Sequence, residues 1–157
     1  MKMIENIYKE VNFMDRKKTL QEMNKFLKGI HMGISTFKDY LEKSESRELR
    51  RELTSIIDSL KKHEKVITKR IKELGGNASE SIGIIGSMGQ IFEKIKLITA
   101  DKDQEILCHV IKYMEIEVKN GNKFIQDNQG LEESLMKDVK CVVDEYCTHL
   151  KKLQQFW

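Results

Sequence analysis

Leu20, Met23, Leu27, Ile30, Ile34, Phe37 and Leu41 follow one another in alternating steps of three and four residues, the spacing of an α-helix with one buried seam. Phe26, Gly33 and Tyr40 on one side of it, and His31 on the other, widen the seam to the stripe of a bundle helix. The pattern returns three times. A second seam runs through Leu49, Leu53, Ile56, Leu60, His63, Ile67, then Arg70 or Ile71, and Leu74, and stops at Gly75-Gly76, a Gly signal past a helix C-terminus. A third carries Leu107, Ile111, Met114, Val118, Gly121 and Ile125, with Val110, Glu117 and Phe124 along one edge. The fourth is Leu135, Val139, Val142, Tyr146, His149, Leu153 and Phe156. No proline interrupts any of them: the 157 residues contain none, where average usage supplies about 5%.

These seams predict an all-α chain, an antiparallel four-helix bundle with helices over about 16–43, 47–74, 102–127 and 131–156. Asp15 reads as the cap of the first helix, and Asp101-Lys-Asp-Gln104 as a capping-box-like start to the third. Short breaks at 42–46 and around Asn128-Gln-Gly130 make the first pair and the last pair antiparallel neighbours. Between helices 2 and 3 lie about 25 residues, against roughly two to eight for a plain bundle connection. Ile84, Ile85, Met88, Ile91, Phe92, Ile95 and Ile98 keep helical spacing there. A short crossover helix over 84–98, about 22 Å long, would traverse the bundle and set helices 2 and 3 parallel. Residues 1–14 hold a partial pattern, Ile4, Ile7, Val11 and Met14, fitting an extra N-terminal turn, a bundle cover or a partner contact. The rest, 15–157, reads as one domain.

Composition narrows the function classes. Lys+Arg 28 against Asp+Glu 25 leaves +3, too mild for a nucleic-acid footprint, and the Lys-rich stretch 61–72 is interleaved with Glu64 and Glu73 and lacks aromatics. Charged residues break every apolar run, so neither a membrane span nor a signal-peptide core is expected, and a soluble cytoplasmic protein is. Cys108, Cys141 and Cys147 form no CxxC pair and read as reduced thiols. Gly83-Ile-Ile-Gly86-Ser-Met-Gly89 matches no phosphate-loop pattern and reads as a small-residue edge, while Gly29 and Gly33 read as points of close helix approach. No Ser-His-Asp arrangement is legible.

Chemistry concentrates on the seams. His63 and His149 occupy positions that otherwise hold Leu, Ile and Val, and a buried imidazole needs a partner: a carboxylate, a carbonyl, a water or a metal. Glu117 sits on a stripe edge between Val110 and Phe124, and Glu145 lies one turn before His149 on the same face. With a crossover topology His31, His63, Glu117, Glu145 and His149 fall within a few turns of one another. They are candidate metal ligands; equally, His63 and His149 fit hydrogen-bonded core histidines, and Glu117 a side chain that reaches solvent or a lysine. His109, off the seam, reads as surface.

The four seams, the short breaks, the single long crossover, Met23-Asn24 opening a helix that carries Phe37 and Tyr40, and Lys-Arg-Ile-Lys-Glu-Leu-Gly-Gly before a Gly-rich segment together resemble the ferritin-like four-helix bundles, relatives of rubrerythrin and bacterioferritin. They are most similar to small bacterial ferritin-like families of unknown function. Metal-active members of that superfamily carry a Glu on helices 1 and 3 and a Glu-x-x-His on helices 2 and 4. The resemblance puts His63 and His149 in the histidine places and Glu117 in the helix 3 place. Ile30, with His31 beside it, Leu60 and Tyr146 stand where the other three carboxylates belong. Two irons need several anionic oxygens, so the resemblance implies a degenerate centre, able at most to hold a single transition-metal ion such as Zn, Fe, Ni or Cu. The expected function is a non-catalytic structural or interaction protein. It associates as a homodimer or with a protein partner, through an exposed apolar face marked by Met1, Met3, Phe13, Phe156 or Trp157. The alternatives are a metal-binding or diiron-like redox protein that handles iron through these histidines and Glu117, and a small-ligand binder using space near Gly33 and Gly121.

Overall fold

The computed structural model describes residues 1–80 and 102–156, with backbone alone at 9–14 and 102. Four helices make up the described residues, with no strand: α1 (Lys2–Lys43), α2 (Arg47–Glu73), α3 (Lys102–Asp127) and α4 (Glu133–Gln154). α1 does not begin at Asp15; it is continuous from Lys2. Residues 2–14 hold neither Gly nor Pro, and Ile4, Ile7, Val11 and Met14 continue the helical spacing, so nothing in them ends a helix. The expected crossover helix over 84–98 and Trp157 lie outside the described residues.

Side chains at the helix ends fix the directions. At one end, Asp103 near the start of α3 accepts from the backbone N–H of Glu45 (2.9 Å) and Ser46 (2.7 Å) and from Ser44 Oγ (3.2 Å). Asp103 thus serves the α1–α2 turn, satisfying donors a helix N-terminus otherwise leaves open. Arg50 completes the turn by donating to the carbonyls of Leu41 (2.6 Å) and Ser44 (2.8 Å). At the other end, Arg16 of α1 donates to the Leu74 carbonyl (2.6 Å), and Arg70 of α2 to Asp138 of α4 (2.7 Å). Hence α2 and α3 both run away from the α1–α2 turn, and α1 and α4 run towards it.

Past α2 the chain turns back along α1. Gly75 takes φ +79, a left-handed helix end that glycine adopts without strain. Gly76 lies so close over Leu20 that a β-carbon would overlap its methyls. Asn24 then donates to the Asn77 carbonyl (3.0 Å) and accepts from the Ser79 N–H (2.8 Å), and His31 Nε2 donates to the Ser79 carbonyl (2.6 Å).

The core is the set of seams. Met23, Leu27, Ile30 and Phe37 of α1, Leu53, Ile56, Leu60, Ile67 and Ile71 of α2, and Val139, Val142 and Leu153 of α4 are all 0% or 1% exposed. Each such side chain contributes about 1.5–3 kcal/mol by leaving water. α3 is rolled from the expected seam: Ile106, Val110, Tyr113 and Glu117 are buried with Leu107, Met114 and Gly121, while Ile111, Val118 and Ile125 are half-buried. The reason is a stripe apolar on both edges, within which the centre is set by neighbours: Tyr113 stacks edge-on to Phe37 at 5.2 Å, and Gly121 admits Val143 of α4. Gly33 does allow close approach, since a β-carbon there would sit 3.1 Å from Leu60. Gly29 does not; a β-carbon there meets only open space.

Candidate functional site

The two seam histidines are both 7% exposed, and each is bound to a carboxylate on the facing helix. His63 Nε2 of α2 donates to Glu145 Oε2 of α4 at 2.6 Å, and the same oxygen accepts from Ser59 Oγ. His149 Nδ1 of α4 donates to Glu52 Oε1 of α2 at 2.9 Å. An imidazole in an apolar seam needs such an acceptor to offset its lost hydration. Burial raises the Glu145 carboxyl, but the hydrogen bonds from Ser59 and His63 and the nearby His63 and His149 outweigh it and hold the carboxyl below its ordinary value. Beside these pairs an open groove of about 560 Å3 runs between α2 and α4, walled by Arg51, Asp58, Lys62, Glu145 and His149.

His31 is a strut. Its Nε2 holds the Ser79 carbonyl and its Nδ1 lies 3.3 Å from Glu64 Oε1, which ties α1, α2 and the returning segment together. His109 is not a plain surface residue: it is half-buried, with its ring edge-on to Tyr40 at 6.4 Å.

Glu117 lies among other neighbours than His63 and His149, whose acceptors are Glu145 and Glu52. It is 7% exposed, on the inward face of α3. Burial pushes its carboxyl up to about 7, with the Tyr113 hydroxyl offsetting part of the rise. The phenols of Tyr113 and Tyr146 are pushed well above their ordinary value, first by burial and then by the adjacent Glu117. Among the described residues Tyr113 Oη and Thr36 Oγ1 are fully enclosed without a partner in good hydrogen-bond geometry, although the Tyr113 hydroxyl stands near enough to Glu117 to act on its carboxyl. Glu117 opens into a pocket of about 210 Å3 between α1 and α3, with Ile30, Phe26, Phe124 and Tyr146 on its walls.

Two of the expected residues are therefore joined directly, His63 with Glu145. His149 neighbours them but bonds to Glu52, and Glu117 and His31 point to other surroundings. Glu52, Ser59, Tyr113 and Thr36 escaped the sequence reading. Glu52, Ile56, Ser59 and His63 step by four, three and four residues along one edge of α2, the one signal that could have found the first two. Among the described residues no three His, Cys, Asp or Glu side chains converge into a group able to hold a metal ion. At the four carboxylate places that the resemblance assigns, Ile30, Leu60 and Tyr146 are packed core and Glu117 is the single carboxylate, a set that does not fit a two-iron centre. The three cysteines carry free thiols. No helix of the described residues is long and apolar enough to cross a membrane.

The helices and their directions define a ferritin-like all-α protein. In solved structures a match is the bacterioferritin-related protein of Bacteroides fragilis, described as a dodecameric thioferritin: TM-score 0.70 and 14% identity over 90% of this chain and 84% of that one. Residues 18–127 match the family described as a domain of unknown function (DUF2383), and the chain belongs to that family. No curated protein matches it.

Proposed function

We propose that the protein is a non-catalytic bundle that works by association, first of all with further copies of itself. The observation that carries this reading is the free part of α1. Arg16 meets Leu74, and Asp15 lines a pocket with the α3–α4 turn, so among the described residues the stretch 2–14 runs about 20 Å past the last bundle contacts. On that projection Ile4, Ile7 and Tyr8 are 58%, 52% and 68% exposed, with Met3 beside them. Spaced by three and four residues, they form one apolar strip. The sequence continues the strip to Val11 and Met14, the two-position seam that a second helix covers in a coiled coil. Two such heptads are marginal alone, so the bundle bodies contribute to the contact. Assembly of the Bacteroides fragilis relative as a dodecamer supports the reading. Light scattering on the purified full chain tests it: a mass at a multiple of 18.4 kDa, reduced to one chain by I4K/I7K with helicity retained, is expected. A monomer across the concentration range overturns it.

A second reading rests on the α2–α4 pairs, where His63 and Glu145 already touch and His149 acts on the same carboxylate. A single transition-metal ion taken up there, with the bonds to Ser59 and Glu52 given up, would make the protein a metal binder. Near-stoichiometric zinc or iron in chelator-free protein, lost in H63A/H149A, supports this reading; metal far below one per chain after incubation removes it.

A further inference from the structure

The pocket between α1 and α3 combines a buried acid with aromatic walls. Glu117 lines it with 93% of its surface removed from water and, among the described residues, forms no ion pair; Lys25, the basic residue on the same rim, is bonded to Glu22 at 2.7 Å. Phe26 and Phe124 meet at 4.9 Å, with their rings tilted by 43°, and Tyr146 closes the inner wall. Gly29 is part of the lining and keeps its stretch of wall open, since a β-carbon added there would meet no atom within 4 Å.

Each feature selects against a class of occupant. An anion meets the Glu117 charge. A divalent metal finds one buried carboxylate and, at the rim, a Glu22 already held by Lys25, too few donors for a stable site. An uncharged molecule gains apolar contact but leaves the carboxyl without its complement. A cation with a hydrocarbon body satisfies both parts: its N–H groups donate to Glu117, and its body and charge face the aromatic rings.

We propose that this pocket binds a small organic ammonium ion, with Glu117 taking the ammonium group and Phe26, Ile30 and Phe124 the hydrocarbon. The volume of about 210 Å3 sets the size, being somewhat larger than the roughly 150 Å3 that accommodates benzene in an apolar cavity. An aryl-methyl or short branched alkyl amine therefore fits, and a polyamine chain does not.

The test is titration of the full chain with benzylamine and with its uncharged counterpart benzyl alcohol, by calorimetry and by amide chemical shifts, at about pH 8, above the Glu117 titration range. Benzylamine is expected to bind at a single site per chain, with shifts at Phe26, Glu117 and Phe124, and benzyl alcohol about tenfold or more weakly, the value of a charge-assisted hydrogen bond. E117Q is expected to erase the preference for the amine. G29L, which fills the pocket and leaves the carboxylate in place, is expected to abolish binding of both while helicity and melting are kept. Equal affinity for the two probes, an amine preference that survives E117Q, binding that survives G29L, or no binding at all overturns the proposal.

Discussion

Glu117 makes the stability of this bundle depend on pH in a direction opposite to that of most carboxylates. Its folded-state value near 7 lies above the 4.5 of the unfolded chain, so between these limits the folded protein holds a proton that the unfolded chain has released. Stability from this group is therefore full below about 4.5 and falls as the pH rises through 7. Each unit of separation corresponds to about 1.4 kcal/mol, and a gap of about two and a half units makes the whole loss about 3 kcal/mol, a large fraction of the stability of an ordinary domain. E117Q keeps the shape and never ionises. Urea unfolding of both proteins at one protein concentration, from about pH 4.5 to 8, isolates the effect, because every contribution the two proteins share cancels in the difference. The variant is expected to be close to wild type at the acid end and more stable by about 3 kcal/mol at the alkaline end. Parallel curves would refute the reasoning and show that Glu117 reaches water or a cation in solution.

Gly29 and Gly121 should respond oppositely to alanine. G29A adds a methyl to open space and gains helix propensity of about 1 kcal/mol, whereas G121A would place its β-carbon 2.5 Å from Val143 Cγ2 and should cost about 1–3 kcal/mol by overpacking; thermal melts of the pair check this. D103A removes the acceptor for the N–H groups of Glu45 and Ser46 and for the buried Ser44 hydroxyl, with an expected loss of about 1–3 kcal/mol and faster proteolysis at the α1–α2 turn. E52A leaves His149 enclosed without its acceptor and should cost about 1–3 kcal/mol; in E52A/H149L the loss should fall well below the sum of the singles, a coupling read from a denaturation double-mutant cycle.

Three helices were legible because their apolar residues fall on one narrow line. In α1, α2 and α4 the three-and-four spacing leaves a single face to bury, and the residues on it are the ones that do so, from Met23 to Phe37, Leu49 to Ile71 and Leu135 to Leu153. α3 is apolar over a wider arc, so spacing alone did not say whether Ile111 and Val118 or Ile106, Val110 and Tyr113 point inward; the packing of Phe37 and Val143 against it did. Asp15 has the chemistry of a helix cap, but nothing on its N-terminal side opposes a helix, so α1 runs through it from Lys2. At the candidate site the burial of His63 and His149 followed from their places in the seams, but their partners did not. Glu145, one turn from His149 on its own helix, crosses to His63 instead, and His149 takes Glu52 from α2. Same-helix spacing ranks local neighbours, whereas a buried donor is satisfied by whichever acceptor the tertiary contact brings into line. Glu117 shows the complementary case. With Ile30 and Tyr146 on its pocket walls and, among the described residues, no ion pair to it, the Glu117 carboxyl is buried without a charge to match it. The apolar and aromatic side chains that α1, α3 and α4 pack around Glu117 thus keep its proton on to higher pH and shape the acid-lined pocket, so the titration of Glu117 and the proposed selectivity of that pocket for ammonium follow from the same three helices.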